Sequence, residues 1–250
     1  KHESSCMTIA AAALIGLMGC TTMAEQPIAP QQEKIDWPAF INRHDMALDK
    51  LPKNWREAPH FGNAMIGSML FQTGDAVELQ VFRADVQDHR ADTYGWTAYS
   101  RPRLLIGYFL LHPAGKLTGC NWRTDLWNAE LTGTITTDKG QIAIRHFVHA
   151  EDMAIVTELT ASEGERGFTW TWHPAPARTT RPGYPTDEAG IAGFAKAYGA
   201  HYKDTLKVFK PNPQGRLEET DGISVWVQDL LAGGQYATAW SEQTQGPRRT

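Results

Sequence analysis

Cysteine is the scarcest reactive residue in this chain: three among 250 positions, Cys6, Cys20 and Cys120. The first two fall in or at the end of an N-terminal apolar segment, which leaves Cys120 alone in the folded part. That excludes an internal disulfide and a cysteine-based zinc site. Cys120 lies in Leu117-Thr-Gly-Cys-Asn-Trp122 with no activating base nearby in sequence, so it reads as a quiet, partly buried thiol and not as a nucleophile. Excess positive charge is also missing. Lys and Arg number 24 against 28 Asp and Glu, a net charge of −4, so no electrostatic case exists for a nucleic-acid partner. No βαβ rhythm, Gly-x-Ser-x-Gly elbow or phosphate loop occurs. Gly62-Asn-Ala-Met-Ile-Gly67 lacks the Lys-Ser/Thr pair and precedes a strand pattern where a phosphate cradle needs a helix. None of the nine His forms a His-x-x-x-His pair. His146 and His149, three apart on one predicted strand, point to opposite faces. Neither a metal nor a cofactor is expected.

What is present begins with the N-terminus. Met7 to Gly19 is an Ala-rich apolar run, too short to span a bilayer. It closes in Leu17-Met-Gly-Cys20, which resembles a bacterial lipoprotein cleavage box; a plain secretory signal is the alternative. Under the first reading residues 1–20 are removed up to Cys20, which becomes the lipidated N-terminus, and residues 21–34 form a flexible tether. The protein is then exported and held to the cell envelope, at the periplasmic face or outer membrane, through its lipid alone. The chain starts at Lys1 and ends at Thr250 in polar sequence, which reads as a fragment. A hydrophobic content of 42% and 250 residues suffice for a full core in one large β domain or two smaller ones. The nine Trp suit either a packed core or stacking on flat ligand faces such as sugars.

The stretch Trp55 to Arg90 organises the rest. Two apolar runs, one ending at Phe71 and one over Val77–Phe82, flank Thr73-Gly-Asp75 and predict a hairpin. Ahead of it, Asp36 to Leu51 has apolar residues at near-helical spacing with Pro52 as its stop, and predicts a helix. After it, strands are predicted over Arg103–Leu111, Arg123–Thr136, Gln141–His149, Met153–Ala161, Phe168–Trp172, Tyr202–Phe209, Ile223–Asp229 and Gln235–Trp240. A surface excursion is expected over His173–Asp187 and a short helix over Glu188–Ala200. Ile142, Ile144 and Val148 mark the apolar face of one strand. Many short strands with tight turns, Gly233-Gly234 among them, indicate a mainly β antiparallel sandwich with a short N-terminal helix.

The candidate site follows the hairpin. Asp85, Asp88, His89 and Arg90 place two carboxylates, an imidazole and a guanidinium at one strand exit, groups suited to a polyhydroxylated ligand. A salt-bridged loop that only shapes the hairpin exit is the commoner origin of such a cluster. The following loop carries Tyr94, Trp96, Tyr99 and Arg101, either a stacking wall or a plug for the open end of a sandwich. Asp85 and Asp88 offer a carboxylate pair, but sequence spacing does not define the separation that glycoside hydrolysis requires.

The segment Trp55-Arg-Glu-Ala-Pro-His-Phe-Gly-Asn-Ala-Met-Ile-Gly-Ser-Met-Leu-Phe71 resembles the opening of the N-terminal β-sandwich of glycoside hydrolase family 95-type proteins, the α-L-fucosidases and relatives. Their pattern runs Trp-x-Glu-Ala, then Pro-Leu-Gly-Asn-Gly-x-x-Gly-Ala-Met. Asn121 to Gly133 is similar to the Arg-x-Leu-Asp-Leu-x-x-Ala strand of the same domain, and Ile155-Val-Thr-Glu-Leu-Thr160 to a later strand. The resemblance implies a galactose mutarotase-like supersandwich over residues 35–250. It also implies that catalysis resides in an (α/α)6 barrel beyond residue 250, so no catalytic residue is assigned here. Asp85, Asp88, His89, Arg90, Trp96 and Arg101 become candidates for the rim of the substrate site. The implied partners are a carbohydrate substrate and the chain's own barrel. Two departures, Ala64 at the third position of Gly-Asn-Gly and Val81–Arg90 where the family has Leu-Asn-Glu-x-x-Leu-Trp, mark a divergent branch and leave fucose specificity aside. A stand-alone carbohydrate-binding lipoprotein and a mutarotase-like isomerase, using a His and a carboxylate for proton transfer, are the other readings.

Overall fold

The structure, a computed structural model, describes residues 34–87, 103–177, 188–199 and 212–243. It is mainly β, with three antiparallel sheets and two short helices. The elements are α1 (Trp37–Asn42), β1 (Met46–Leu48), β2 (His60–Gly62), β3 (Ile66–Thr73), β4 (Ala76–Arg83), β5 (Gly107–His112), β6 (Leu117–Asp125) and β7 (Glu130–Thr137). They continue with β8 (Gln141–Val148), β9 (Ile155–Ala161), a 3-10 turn (Glu163–Glu165), β10 (Thr169–Pro174), α2 (Glu188–Tyr198), β11 (Arg216–Thr220), β12 (Ile223–Asp229) and β13 (Gln235–Trp240). One five-stranded sheet has the order β1-β6-β7-β8-β9 and the other β10-β5-β4-β3-β2, while β11-β12-β13 form a three-stranded sheet. No helix among the described residues is long and apolar enough to cross a membrane.

Alternation along the strands builds the core. Leu70, Val77, Leu79, Val81, Phe109 and Leu111 of the second sheet meet Cys120, Trp122, Leu131, Ile135, Ile142 and Ile144 of the first in one buried cluster. Each fully buried side chain of this size contributes about 1.5–3 kcal/mol against exposure. Cys120 donates its thiol to Leu48 O at 3.5 Å, and burial pushes its pKa up to about 11, so it is a packing residue.

Three expectations need correction. The helix predicted over Asp36–Leu51 stops at Asn42. Met46, Ala47 and Leu48 instead pair with Thr124, Arg123 and Trp122 as the edge of the first sheet. Leu51 reaches the sandwich core, and that burial outweighs the weak helical preference of a short amphipathic stretch. The single strand predicted over Arg123–Thr136 is two strands with a turn at 126–129. That turn lacks both Gly and Pro. Asp125 makes it, its carboxylate accepting from Asn128 N at 2.8 Å and Asn128 Nδ2 at 2.9 Å, while Ala129 takes a positive φ of 53°. The same two bonds hold the Asp125 carboxyl below its usual pKa. Finally, the excursion predicted to begin at His173 begins later, because His173 and Pro174 still pair in β10 with Tyr108 and Gly107. The strand predicted over Tyr202–Phe209 lies outside the described residues. β11, wholly exposed, escapes a reading based on apolar alternation, although Asp221-Gly222 at its hairpin turn, both at positive φ, is a strong two-residue turn signal.

The two ends of the second sheet differ. At the end holding the Thr73–Asp75 turn, Glu165 is fully buried and its carboxylate accepts from Ala114 N at 2.7 Å, Gly115 N at 2.9 Å and the Thr137 hydroxyl. At the opposite end, Asn63 ties the sheets together. Its Nδ2 donates to His149 O and Asp152 O, both at 3.0 Å, while its Oδ1 accepts from Met65 N and Ile66 N. The tight loop this produces puts Ala64 at φ 75°, a conformation that favours glycine. Replacing Ala64 with Gly is expected to raise stability by about 0.5–1 kcal/mol, after the entropy that glycine adds to the unfolded chain is deducted. Urea denaturation reads this directly, and a loss of stability would show the loop to be unstrained.

Candidate functional site

The Asn63 end of the second sheet collects the loop roots. β4 leaves the sheet at Arg83, and the chain returns through Leu104 and Ile106 into β5. An isolated bridge between Gln87 and Arg103 and a bond from Leu104 N to Val86 O at 3.0 Å close this neck. The strand predicted to start at Arg103 therefore begins as a pinched loop base, regular only from Gly107. β10 leaves the sheet beside it, where Ala175 N donates to Ile106 O at 3.1 Å. Val86, Leu104, Ile106 and Tyr236 form a second small core, with Trp172, Ala177 and Leu230 packed on it. Asn212 locks the three-stranded sheet to the same place, donating to Ala177 O at 2.8 Å and accepting from Leu231 N at 3.0 Å. The bases of segments 88–102 and 178–187 thus stand side by side on a rigid floor. Burial pushes the Tyr236 phenol in that floor up to about 12, so it stays protonated at ordinary pH.

Of the residues singled out from sequence, Asp85 is placed: it sits just past β4, half exposed, ion-paired with Arg83 at 2.7 Å. A pair as exposed as this adds little stability. It does commit the Asp85 carboxylate to a neighbour two residues away. Asp88, His89, Arg90, Trp96 and Arg101, and Cys20 at the N-terminus, lie outside the described residues. The structure therefore fixes the base of the predicted rim.

A second polar surface was not anticipated. Strand register aligns His60, Met69, Gln80, Tyr108 and His173 in one row across the second sheet. The row lies on the face away from the core, since Leu79 and Phe109, the neighbours of Gln80 and Tyr108, point inward. Tyr108 and His173 are nearly parallel, 9° apart with centroids 5.3 Å from each other. The His173 ring is steadied by the Thr171 hydroxyl at 3.0 Å from Nε2. Flat rings flanked by an amide and a hydroxyl suit the apolar face and the equatorial hydroxyls of a sugar. Only strand register aligns these residues, which lie on five separate strands.

One constellation has the distances of a catalytic relay and none of its access. His146 Nε2 lies 2.7 Å from Ser68 Oγ, and His146 Nδ1 lies 2.9 Å from Thr157 Oγ1. Ser68 and His146 are both fully buried. Burial alone lowers the His146 pKa to about 3, so the ring is neutral, one nitrogen donating and the other accepting. A hydroxyl that no substrate reaches is not a nucleophile, and this trio is a polar rivet between the sheets. Among the described residues no group of three or more His, Cys, Asp or Glu stands close enough to hold a metal ion.

No protein-family model matches this sequence, and no curated protein matches it.

Proposed function

We propose that this chain is the N-terminal sandwich of a cell-envelope glycoside hydrolase acting on oligo- or polysaccharide, bracing a catalytic barrel encoded beyond Thr250. The observation that carries the reading is the Gly62-Asn63-Ala64 loop. The residues that resemble the fucosidase-type opening form the junction where Asn63 joins the two sheets, and the position where that pattern has Gly, here Ala64, has a positive φ. The segment 88–102, rooted on the Val86, Leu104, Ile106 and Tyr236 floor, supplies His89, Arg90, Trp96 and Arg101 to the rim of the active site. In this reading the sandwich positions substrate and the barrel cuts the bond.

Two measurements test the proposal. The reading frame beyond Thr250 is expected to encode several hundred further residues of paired helices, and a stop codon there sinks the idea. In the full-length enzyme, His89→Ala or Arg90→Ala is expected to reduce turnover about tenfold, or about 1.4 kcal/mol of transition-state stabilisation. Stability should stay within about 0.5 kcal/mol, as for a surface position. A fall in melting temperature with unchanged activity per folded molecule would make the cluster structural.

A second reading is carbohydrate binding without turnover, favoured by the Tyr108–His173 pair beside Gln80. Sugar binding by a chain that shows no hydrolysis, weakened by Tyr108→Ala, distinguishes it from the first.

A further inference from the structure

α1 buries none of its six side chains. Trp37 is 53% exposed and Phe40 40%, their rings edge to face at 5.9 Å, with the Arg43 guanidinium 4.9 Å above Phe40. The β6–β7 turn shows the same character, with Leu126 43% and Trp127 49% exposed. Asp45 joins the two. Its backbone closes the turn that follows α1, Asp45 N donating to Asn42 O. Its nearly buried carboxylate accepts from Arg123 Nε at 2.8 Å and from Leu126 N at 2.9 Å. Met46, next in the chain, is exposed as well. Aromatic and aliphatic side chains held out on two tied elements, with Arg43 among them, are not a typical free surface. Trp and Phe bodies with cationic neighbours match the boundary between headgroups and acyl chains.

The chain before this patch names the occupant. α1 begins 17 residues after Cys20, a tether that spans at most about 60 Å when fully extended. Acyl chains on Cys20 would therefore keep α1 within reach of the bilayer. We infer that Trp37, Phe40, Met46, Leu126 and Trp127 form a membrane-seating patch that rests the sandwich on the lipid surface. The inference rests on the lipoprotein reading of Cys20. An anchor with one or two acyl chains leaves a domain free to swing on its tether. The patch would fix which end of the sandwich faces the membrane.

The test uses the full acylated chain reconstituted in phosphatidylethanolamine–phosphatidylglycerol vesicles with brominated acyl chains, which quench tryptophan at bilayer depth. The expected result is clear quenching that is mostly lost in Trp37→Phe/Trp127→Phe, with vesicle flotation and thermal melting unchanged. Quenching that is the same in wild type and double variant overturns the inference. So does concentration-dependent dimerisation that protects both tryptophans from lipid. Flotation of Cys20→Ser reports the anchor separately. Where the wild type carries no acyl chain by mass spectrometry, the same vesicles are offered to the unanchored chain. Quenching of Trp37 and Trp127 there supports the patch without the anchor, and its absence overturns both.

Discussion

Replacing His146 with Ala is expected to lower the unfolding free energy by about 3–5 kcal/mol. Three losses add in the same direction. A fully buried ring is removed from between the sheets, the edge contact with Phe61 at 5.3 Å goes with it, and the Ser68 and Thr157 hydroxyls lose their partner. The histidine also carries a pH signature. In the folded protein burial holds its pKa near 3, whereas in the unfolded chain it titrates near the ordinary value of about 6.5. Above the unfolded value the contribution is fully present. As pH falls through 6.5 toward 3, the unfolded state takes up a proton that the folded state refuses, and stability drops by up to about 1.4 kcal/mol per pH unit. A variant such as His146→Gln, polar but without a titrating group, should lose that part of the acid slope. Urea melts between neutral and mildly acid pH measure it. Identical slopes in wild type and variant would show that the ring does not stay neutral in the fold.

The second large effect is expected at Glu165. Changing it to Ala removes the acceptor from Ala114 N, Gly115 N and the Thr137 hydroxyl in a place water does not reach. Hydrogen bonds to an ionised acceptor are worth about 1.5–3 kcal/mol each, with overlap among them, so the expected loss is about 3–4 kcal/mol. Glu165→Gln should lose roughly half as much, because its amide keeps one acceptor oxygen and turns an N–H toward another donor. Amide hydrogen exchange at Ala114 and Gly115 gives the local readout. Both amides should speed up in the variants before the strands of the core do. Unchanged protection there would mean the turn holds without the carboxylate.

Activity effects are expected to gather at the other end of the sheet. Glu165 pins the turn between β5 and β6, and the Gln87–Arg103 neck and the foot of β10 lie at the far end of β5. Substitutions around Glu165 should therefore read in stability, and those in the 88–102 segment in turnover.

The β12 and β13 boundaries coincide with the strands expected from apolar alternation, and the Thr73–Asp75 and Gly233–Gly234 turns lie where their glycines suggested. The Asp125–Asn128 turn was not legible because a side chain, not a backbone preference, makes it. From sequence His146 stands out only as a metal-ligand candidate, although it alternates in phase with Ile142 and Ile144. That phase was the available sign that it faces inward. Glu165 gave no such sign, since only its three donors, 28 or more residues away in sequence, tell it from a surface glutamate.

By itself the sequence determined what local chemistry controls. Period-two apolar patterning set a mainly β class, and glycine placed turns. Only the tertiary structure decided which polar residues are buried, which strands stand side by side, and that Met46–Leu48 pairs as a strand where local spacing suggests a helix. The reason is the range of the forces involved. Backbone preference acts over a few neighbours, but the partners that satisfy His146, Glu165 and Asp45 lie 11 to 81 residues away in sequence, and only the folded sheets bring them within 3 Å.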